Sequence, residues 1–272
     1  MHANDAASSF AGSIPQTYEQ HLVPLLFEPY AADLVTRIAT RRPSRVLEIA
    51  AGTGCVTRHL ARTLSPACSI VATDVAEPML DVAKKVRTAR PVEWRSADAH
   101  DLPFDDGTFD VVLCQFGVMF FADKPKAHSE VHRVLRPGGA WIFNVWDRLE
   151  HNDFAAATTE ALAGAFRGDA PSFLPRLPYG YHDKNTIAQD VARGGFTKTP
   201  VITSITTHSR AESPRVPAVA FCQGTPLRGE IEARAAGKLV AATDVVADAI
   251  ARRFGARDVT GRMQAHVVVV ER

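Results

Sequence analysis

The chain has 272 residues, 46% hydrophobic and 22% charged, with a formal net charge of +1. That composition suits a globular fold with one large domain, or a core with a cap. It excludes routine nucleic-acid binding, which needs clustered Lys and Arg, and no apolar run approaches the roughly 20 residues of a membrane span. The N-terminus has neither the basic nor the apolar region of a secretory signal. Cys55, Cys68, Cys114 and Cys222 are scattered without a C-x-x-C pair, and read as free thiols of a reducing cytoplasm.

Residues 1–14 are small and polar and read as a mobile tail. Tyr18, Leu22, Leu25, Leu26, Tyr30 and Leu34 then recur at helical spacing, with Pro24 and Pro29 predicting two short helices in place of one. Arg45–Ala50 is the first strand, followed by a helix from about Gly54 to Leu64 that Pro66 ends. Ser69–Asp74 is the second strand, and Glu77 and Pro78 open a helix reaching about Ala89. Val92–Ser96 alternates as a third strand, and Phe109–Gln115 is apolar enough for a central parallel strand. A helix over Lys124–Leu135 is closed by Arg136-Pro137-Gly138-Gly139, and Ala140–Trp146 is the fifth strand. This alternation predicts an α/β fold, a parallel sheet with helices on both faces.

After Asp147 the pattern loosens. A helix is expected over 151–167, a Pro/Gly/aromatic loop over 168–181, a helix over Asn185–Gly194 and a strand over Val201–Thr206. Helical stretches near 214–222 and 226–255 precede a terminal strand, Gln264–Val270. The expected organisation is an N-terminal helical lid (1–40), a core (41–147), its continuation with an inserted helix and loop (148–207), a helical insertion over the substrate side (208–258) and the last core strand (259–272).

Chemistry concentrates where the first strand ends. Val46-Leu47-Glu48-Ile49 runs into Ala50-Ala51-Gly52-Thr53-Gly54, a turn whose small residues let a ligand approach backbone N–H groups at a helix start. Asp74 ends the next strand, where a carboxylate can accept both hydroxyls of a ribose, with Val75 beside it. Capping the following helix is the competing role for Asp74. A dinucleotide site wants G-x-G-x-x-G, and Thr57 stands where the third glycine belongs. Glu48 would repel a pyrophosphate but suits a cationic ligand such as the ammonium of S-adenosylmethionine. Met79 could cover one face of an adenine or sit in helix core. Gln115 to Val118 follow the fourth strand, where open α/β sheets bind ligands. Phe116 and Met119 are apolar for a loop and read as lining a substrate pocket.

Four ordered blocks carry a family resemblance. They are Leu47-Glu48-Ile49-Ala50-Ala51-Gly52-Thr53-Gly54, the stretch from Ala72 to Leu80, the stretch from Ala97 to Asp110, and Glu130 to Gly139. Together they resemble the core of class I S-adenosylmethionine-dependent methyltransferases, in the branch that includes the ubiquinone- and menaquinone-biosynthesis enzymes. The resemblance implies a Rossmann-like, mostly parallel seven-stranded sheet with an antiparallel last strand. It implies S-adenosylmethionine as cofactor and S-adenosylhomocysteine as product. It further implies that Asp98 accepts from the adenine amino group, that the Ala99 N–H meets the ring, and that Tyr18 closes over the methionine end. Ala50 stands where the family usually has glycine, which leaves less room near the methionine moiety.

Methyl transfer from a sulfonium has a neutral leaving group, so the protein works mainly by approximation and exclusion of water. A general base is optional, and none is assigned here. His21, His100, His128, His132 and His151 read as surface or helix-face residues, and His100 as part of a freely variable spacer. No metal site is expected: no histidine pair has ligand spacing, and Asp105-Asp106-Gly107 is a turn, without the periodic acids of a calcium loop. The expected partner is a small, apolar or aromatic acceptor; the sequence leaves the oligomeric state open, a homodimer being one option. The competing readings are an NAD-dependent oxidoreductase and a non-catalytic nucleotide-binding module.

Overall fold

A computed structural model describes residues 10–272, so most of the stretch read as a mobile tail lies outside the described residues. The centre of the sheet is β4 (Phe109–Gln115), flanked by β1 (Arg45–Glu48) and β5 (Leu135–Trp146). Outside β1 lie β2 (Ser69–Asp74) and β3 (Glu93–Ser96), and outside β5 lie β7 (Val259–Glu271) and then β6 (Val201–Ala211). The order is β3-β2-β1-β4-β5-β7-β6, and β7 pairs antiparallel with both neighbours while the other pairings are parallel. The sheet is therefore Rossmann-like with an antiparallel last strand, as expected.

The first described helices form one continuous run: α1 (Ile14–Thr17), a π-helical segment (Tyr18–Phe27) and α2 (Glu28–Ala39). Two separate helices were expected on the strength of Pro24 and Pro29. Pro24 lies inside the π-helical segment, whose wider turn keeps the ring clear of the carbonyl it would strike in an α-helix. Pro29 falls in the first turn of α2, where its missing N–H has no intrahelical partner to lose. In the core half, α3 (Cys55–Thr63), α4 (Glu77–Val86) and α5 (Lys124–Val134) follow within a few residues of the expected bounds.

Beyond Asp147 come α6 (Asp153–Ala165), α7 (Phe173–Arg176), which interrupts the expected loop, and α8 (Lys184–Arg193). The insertion folds as α9 (Arg215–Gln223), α10 (Leu227–Arg234) and α11 (Leu239–Phe254), three helices where two were expected. Both terminal strands are longer than read. β6 and β7 pair from Val201↔Val269 to Ala211↔Val259, whereas β5 covers β7 only as far as Ala265. The rest is a two-stranded arm that supports the lid: Ser209 Oγ donates to the Leu25 carbonyl at 2.8 Å, and Phe154 packs on Gly261.

Candidate active site

Two strained turns define the carboxyl edge of the sheet. Ala50 after β1 and Phe116 after β4 are non-glycine residues with φ of 51°, in the left-handed region. The two turns pack against each other through Gly117, where a Cβ would lie 2.6 Å from the Cβ of Ala50. Phe116 is held in place by its N–H, which donates to Oδ1 of the buried Asn144 on β5 at 2.9 Å.

Above these turns lies a cavity of about 160 Å³. One wall is the edge of the sheet: Ala50, Gly52, Asp74, Val75, Met79, Asp98, Ala99, Gln115 and Phe116 all line it. The opposite wall is the cap, with Tyr18, Leu22, Leu26 and Phe27 from the lid, Phe173, Leu174, Pro178 and Tyr179 from the inserted helix and loop, and Phe221, Thr225 and Pro226 from the insertion. The three apolar segments thus meet over the carboxyl edge of the sheet.

Asp74 is buried, and its Oδ2 accepts from the Gly52 N–H at 2.7 Å while Oδ1 accepts from the Ala76 N–H at 2.8 Å. Burial pushes its pKa up, and the backbone donors oppose that shift. Its second oxygen does cap the turn into α4, yet the carboxylate still lines the cavity.

Glu48 lies behind the main cavity, against a second pocket of about 20 Å³ shared with Tyr18, Phe27, Ala50, Thr53 and Gln115. Its Oε2 accepts from Thr57 Oγ1 at 2.6 Å, and no Lys, Arg or His forms an ion pair with it among the described residues. Arg58 is turned away, held by Glu19 and by the Thr53 carbonyl, both at 2.7 Å. Burial therefore pushes the Glu48 carboxyl up to about 8. Two more atoms around this pocket, Thr53 Oγ1 and Gln115 Oε1, are buried without a hydrogen-bond partner among the described residues. The Gln115 amide N–H reaches only the Phe27 carbonyl, at 3.4 Å. A carboxyl and two acceptors without donors make a site for a small multiple donor.

Two expected site residues are placed elsewhere. Gly54 is outside the cavity lining. It begins α3 with φ 84°, and a Cβ there would lie 2.8 Å from the Trp94 ring, so it serves the packing of the turn on β3. Met119 is buried in the core. A 3-10 turn over Val118–Phe120 repeats every three residues, which puts Gly117 and Phe120 on the cavity side and Met119 away from it.

Other lining residues were not picked out from the sequence. Trp146 ends β5 and stacks on Phe116, ring centroids 3.8 Å apart, with Phe27 and Tyr179 around the pair. The run of apolar residues ending β5 was the only available signal for Trp146. His100 also lines the cavity, although its spacer was read as free to vary.

Residues 47–143 match the family model of the methyltransferase domain. Over these residues the chain is similar to methyltransferase domains. A demethylmenaquinone methyltransferase of Thermus thermophilus is 45% identical over 104 residues, 38% of this chain and 47% of that protein. The ubiquinone/menaquinone biosynthesis C-methyltransferase UbiE of Escherichia coli is 36% identical over 143 residues, 50% of this chain and 53% of that protein. The chain thus spans about half the length of the curated relatives it matches. The YcgJ protein of Bacillus subtilis has the same fold, with a TM-score of 0.55 at 18% identity over 90% of this chain and 98% of that one. The matched segment of the methyltransferase domain runs from β1 to β5, so it holds the sheet wall of the cavity and omits almost all of the cap. Among the described residues no helix is long and apolar enough to cross a membrane, and no cluster of His, Cys, Asp and Glu could hold a metal ion.

Proposed function

We propose that the protein is an S-adenosylmethionine-dependent methyltransferase that acts on a small apolar or aromatic molecule by direct in-line transfer. The observation that carries this reading is a pair of neighbouring compartments that share Tyr18, Phe27, Ala50 and Gln115, one with unmatched acceptors and one lined with aromatic rings. Glu48, Thr53 and Gln115 would offer acceptors to the ammonium of the cofactor, and Tyr18, whose hydroxyl lies near Gly52, would bond its carboxylate. Asp74 would take the ribose, with Val75 beside it, while Asp98, Ala99 and Met79 would take the adenine. Ala50 and Gly52 form the floor between them. When bound, S-adenosylmethionine supplies an electrophilic methyl group on a sulfonium whose leaving group is a neutral thioether.

The residues of this chain would then align the acceptor and keep water away. Among the described residues no Lys or Arg lines the cavity, so an anionic acceptor would enter without a counter-charge. Phe27, Phe116, Phe120, Trp146, Phe173 and Tyr179 favour a flat, uncharged acceptor that can stack. Two relatives are named for methylation in quinone biosynthesis, which supports a small-molecule acceptor. The four cysteines are free and buried, which supports a cytoplasmic location. The test is transfer of label from methyl-labelled S-adenosylmethionine to a panel of uncharged ring compounds and their phosphorylated or carboxylated analogues. Label should accumulate on the uncharged members; transfer confined to the anionic ones would overturn the substrate assignment.

A further inference from the structure

His100 joins two loops at the sheet edge of the cavity. Its ring Nδ1 lies 2.6 Å from Asp98 Oδ1, and its backbone N–H donates to the same oxygen at 2.9 Å. Its Nε2 accepts from the Asp123 N–H at 3.2 Å. A neutral imidazole has one donor and one acceptor nitrogen. The Asp123 contact makes Nε2 the acceptor, so the proton sits on Nδ1 and is given to Asp98. The ring edge packs on Phe121, centroids 5.8 Å apart. Asp123 in turn caps α5 by accepting from the Lys126 N–H at 2.9 Å. One side chain therefore joins the loop after β3 to the segment after β4 that carries Phe116, Phe120 and Phe121 into the cavity.

We infer that His100 is a positioning residue: it orients Asp98 toward the adenine and, through Asp123, couples cofactor occupancy to the order of the substrate-facing segment 116–123. The inference rests on the reading of the cavity as an S-adenosylmethionine site. Asp98 is partly exposed and has no other side-chain donor among the described residues, so without the imidazole its carboxylate is free to turn toward solvent. The two ring nitrogens have separable duties. Asparagine can reproduce the Nδ1 donor but is too short to reach Asp123, and phenylalanine reproduces neither.

The experiment measures S-adenosylhomocysteine affinity by calorimetry and amide exchange over 116–123, with and without that ligand, in wild type, His100→Phe and His100→Asn. Loss of a support hydrogen bond should weaken binding by about fivefold to tenfold in His100→Phe, with His100→Asn restoring most of it. In the wild type the ligand should slow exchange at Asp123 and its neighbours. In His100→Asn that protection should be lost although affinity is retained, a split that general loosening of the fold would not give. Unchanged affinity in His100→Phe, or full protection of 116–123 in His100→Asn, overturns the role of His100. If the wild type itself does not bind S-adenosylhomocysteine, the cofactor reading fails and this inference with it. Should His100→Phe not fold, His100→Asn alone decides, because its prediction combines retained affinity with lost protection.

Discussion

The two walls of the cavity are built from different physics. The sheet wall presents directional groups: Asp74, Asp98 and the acceptors around Glu48 each occupy one position relative to the backbone. The cap wall presents shape, with Phe27, Phe173, Tyr179 and Phe221 offering area and few bonds. A directional contact demands one residue type at one place, whereas an apolar wall demands only volume and can be assembled in many ways. The family match follows this division, ending within β5 and leaving the cap outside. The same division predicts that substitutions in the two walls have separable effects.

The largest effect should come from the cap. Phe173 is buried and stacks on Phe120 at 6.2 Å. Phe173→Ala should lower stability by about 3 kcal/mol, as large-to-small core changes do, while affinity for S-adenosylhomocysteine stays within about twofold because no bond to the cofactor is lost. Chemical unfolding and calorimetry on one preparation would test this, and a tenfold loss of affinity would show that the walls are not separable. Asp74→Ala should do the opposite. Hydrogen bonds to charged groups are worth roughly 1.5–3 kcal/mol each, so affinity should fall at least about tenfold with the circular dichroism spectrum intact. Unchanged affinity would leave Asp74 as a helix cap only.

Glu48 should make cofactor binding depend on pH. With its carboxyl pushed up to about 8, the free protein carries a proton there at neutral pH. Pairing with an ammonium requires that proton to leave, so the free protein binds one proton more than the complex. By linkage, affinity should strengthen as pH rises toward about 8, by up to about tenfold per pH unit, and level off above it. Glu48→Gln should flatten the profile, and a wild-type profile already flat between about pH 6 and 8 would contradict the assignment. The smallest effect concerns backbone strain. Ala50 has φ 51°, so Ala50→Gly should raise stability by about 1 kcal/mol, the usual cost of a side chain in the left-handed region. A loss of stability on that change would mean that the Ala50 methyl group, packed beside Gly117, contributes more than its backbone costs.

What could be read from the sequence follows the same line. β1, β2, β4 and the apolar part of β5 were legible because buried parallel strands are apolar runs and the turns between them are marked by Gly, Pro and Asp. The mostly exposed β3 was legible only from its alternation, and Leu135–Gly139, read as a helix end and its closing turn, opens β5. The far ends of β6 and β7 were not. Thr206-Thr207-His208-Ser209-Arg210 is polar because the arm is half exposed, and strand length there is set by pairing with β7 and not by burial. Pro24 misled because the rule it invokes is for α-helices, and the chain solves the clash with a wider turn. Among the residues that line the cavity, Asp74 and Gln115 stood out as the ends of β2 and β4, and Asp98 through the family resemblance. Gly54 and Phe116 differ instructively: the glycine looked like a ligand contact and is needed for packing on Trp94, whereas the phenylalanine holds a strained turn and also lines the cavity. Met119 could not be separated from Phe120 without knowing that a 3-10 turn intervenes. His100 was invisible because its partner Asp123 is 23 residues away.

If the acceptors around Glu48 and the carboxylate of Asp74 form one cofactor site, that site takes an adenosyl ligand that carries an ammonium. Titration calorimetry of the full chain with S-adenosylhomocysteine and, separately, with NADH tests it most directly. S-adenosylhomocysteine should bind in the micromolar range, about −8 kcal/mol, with no measurable heat from NADH. Binding of NADH with no binding of S-adenosylhomocysteine would contradict it.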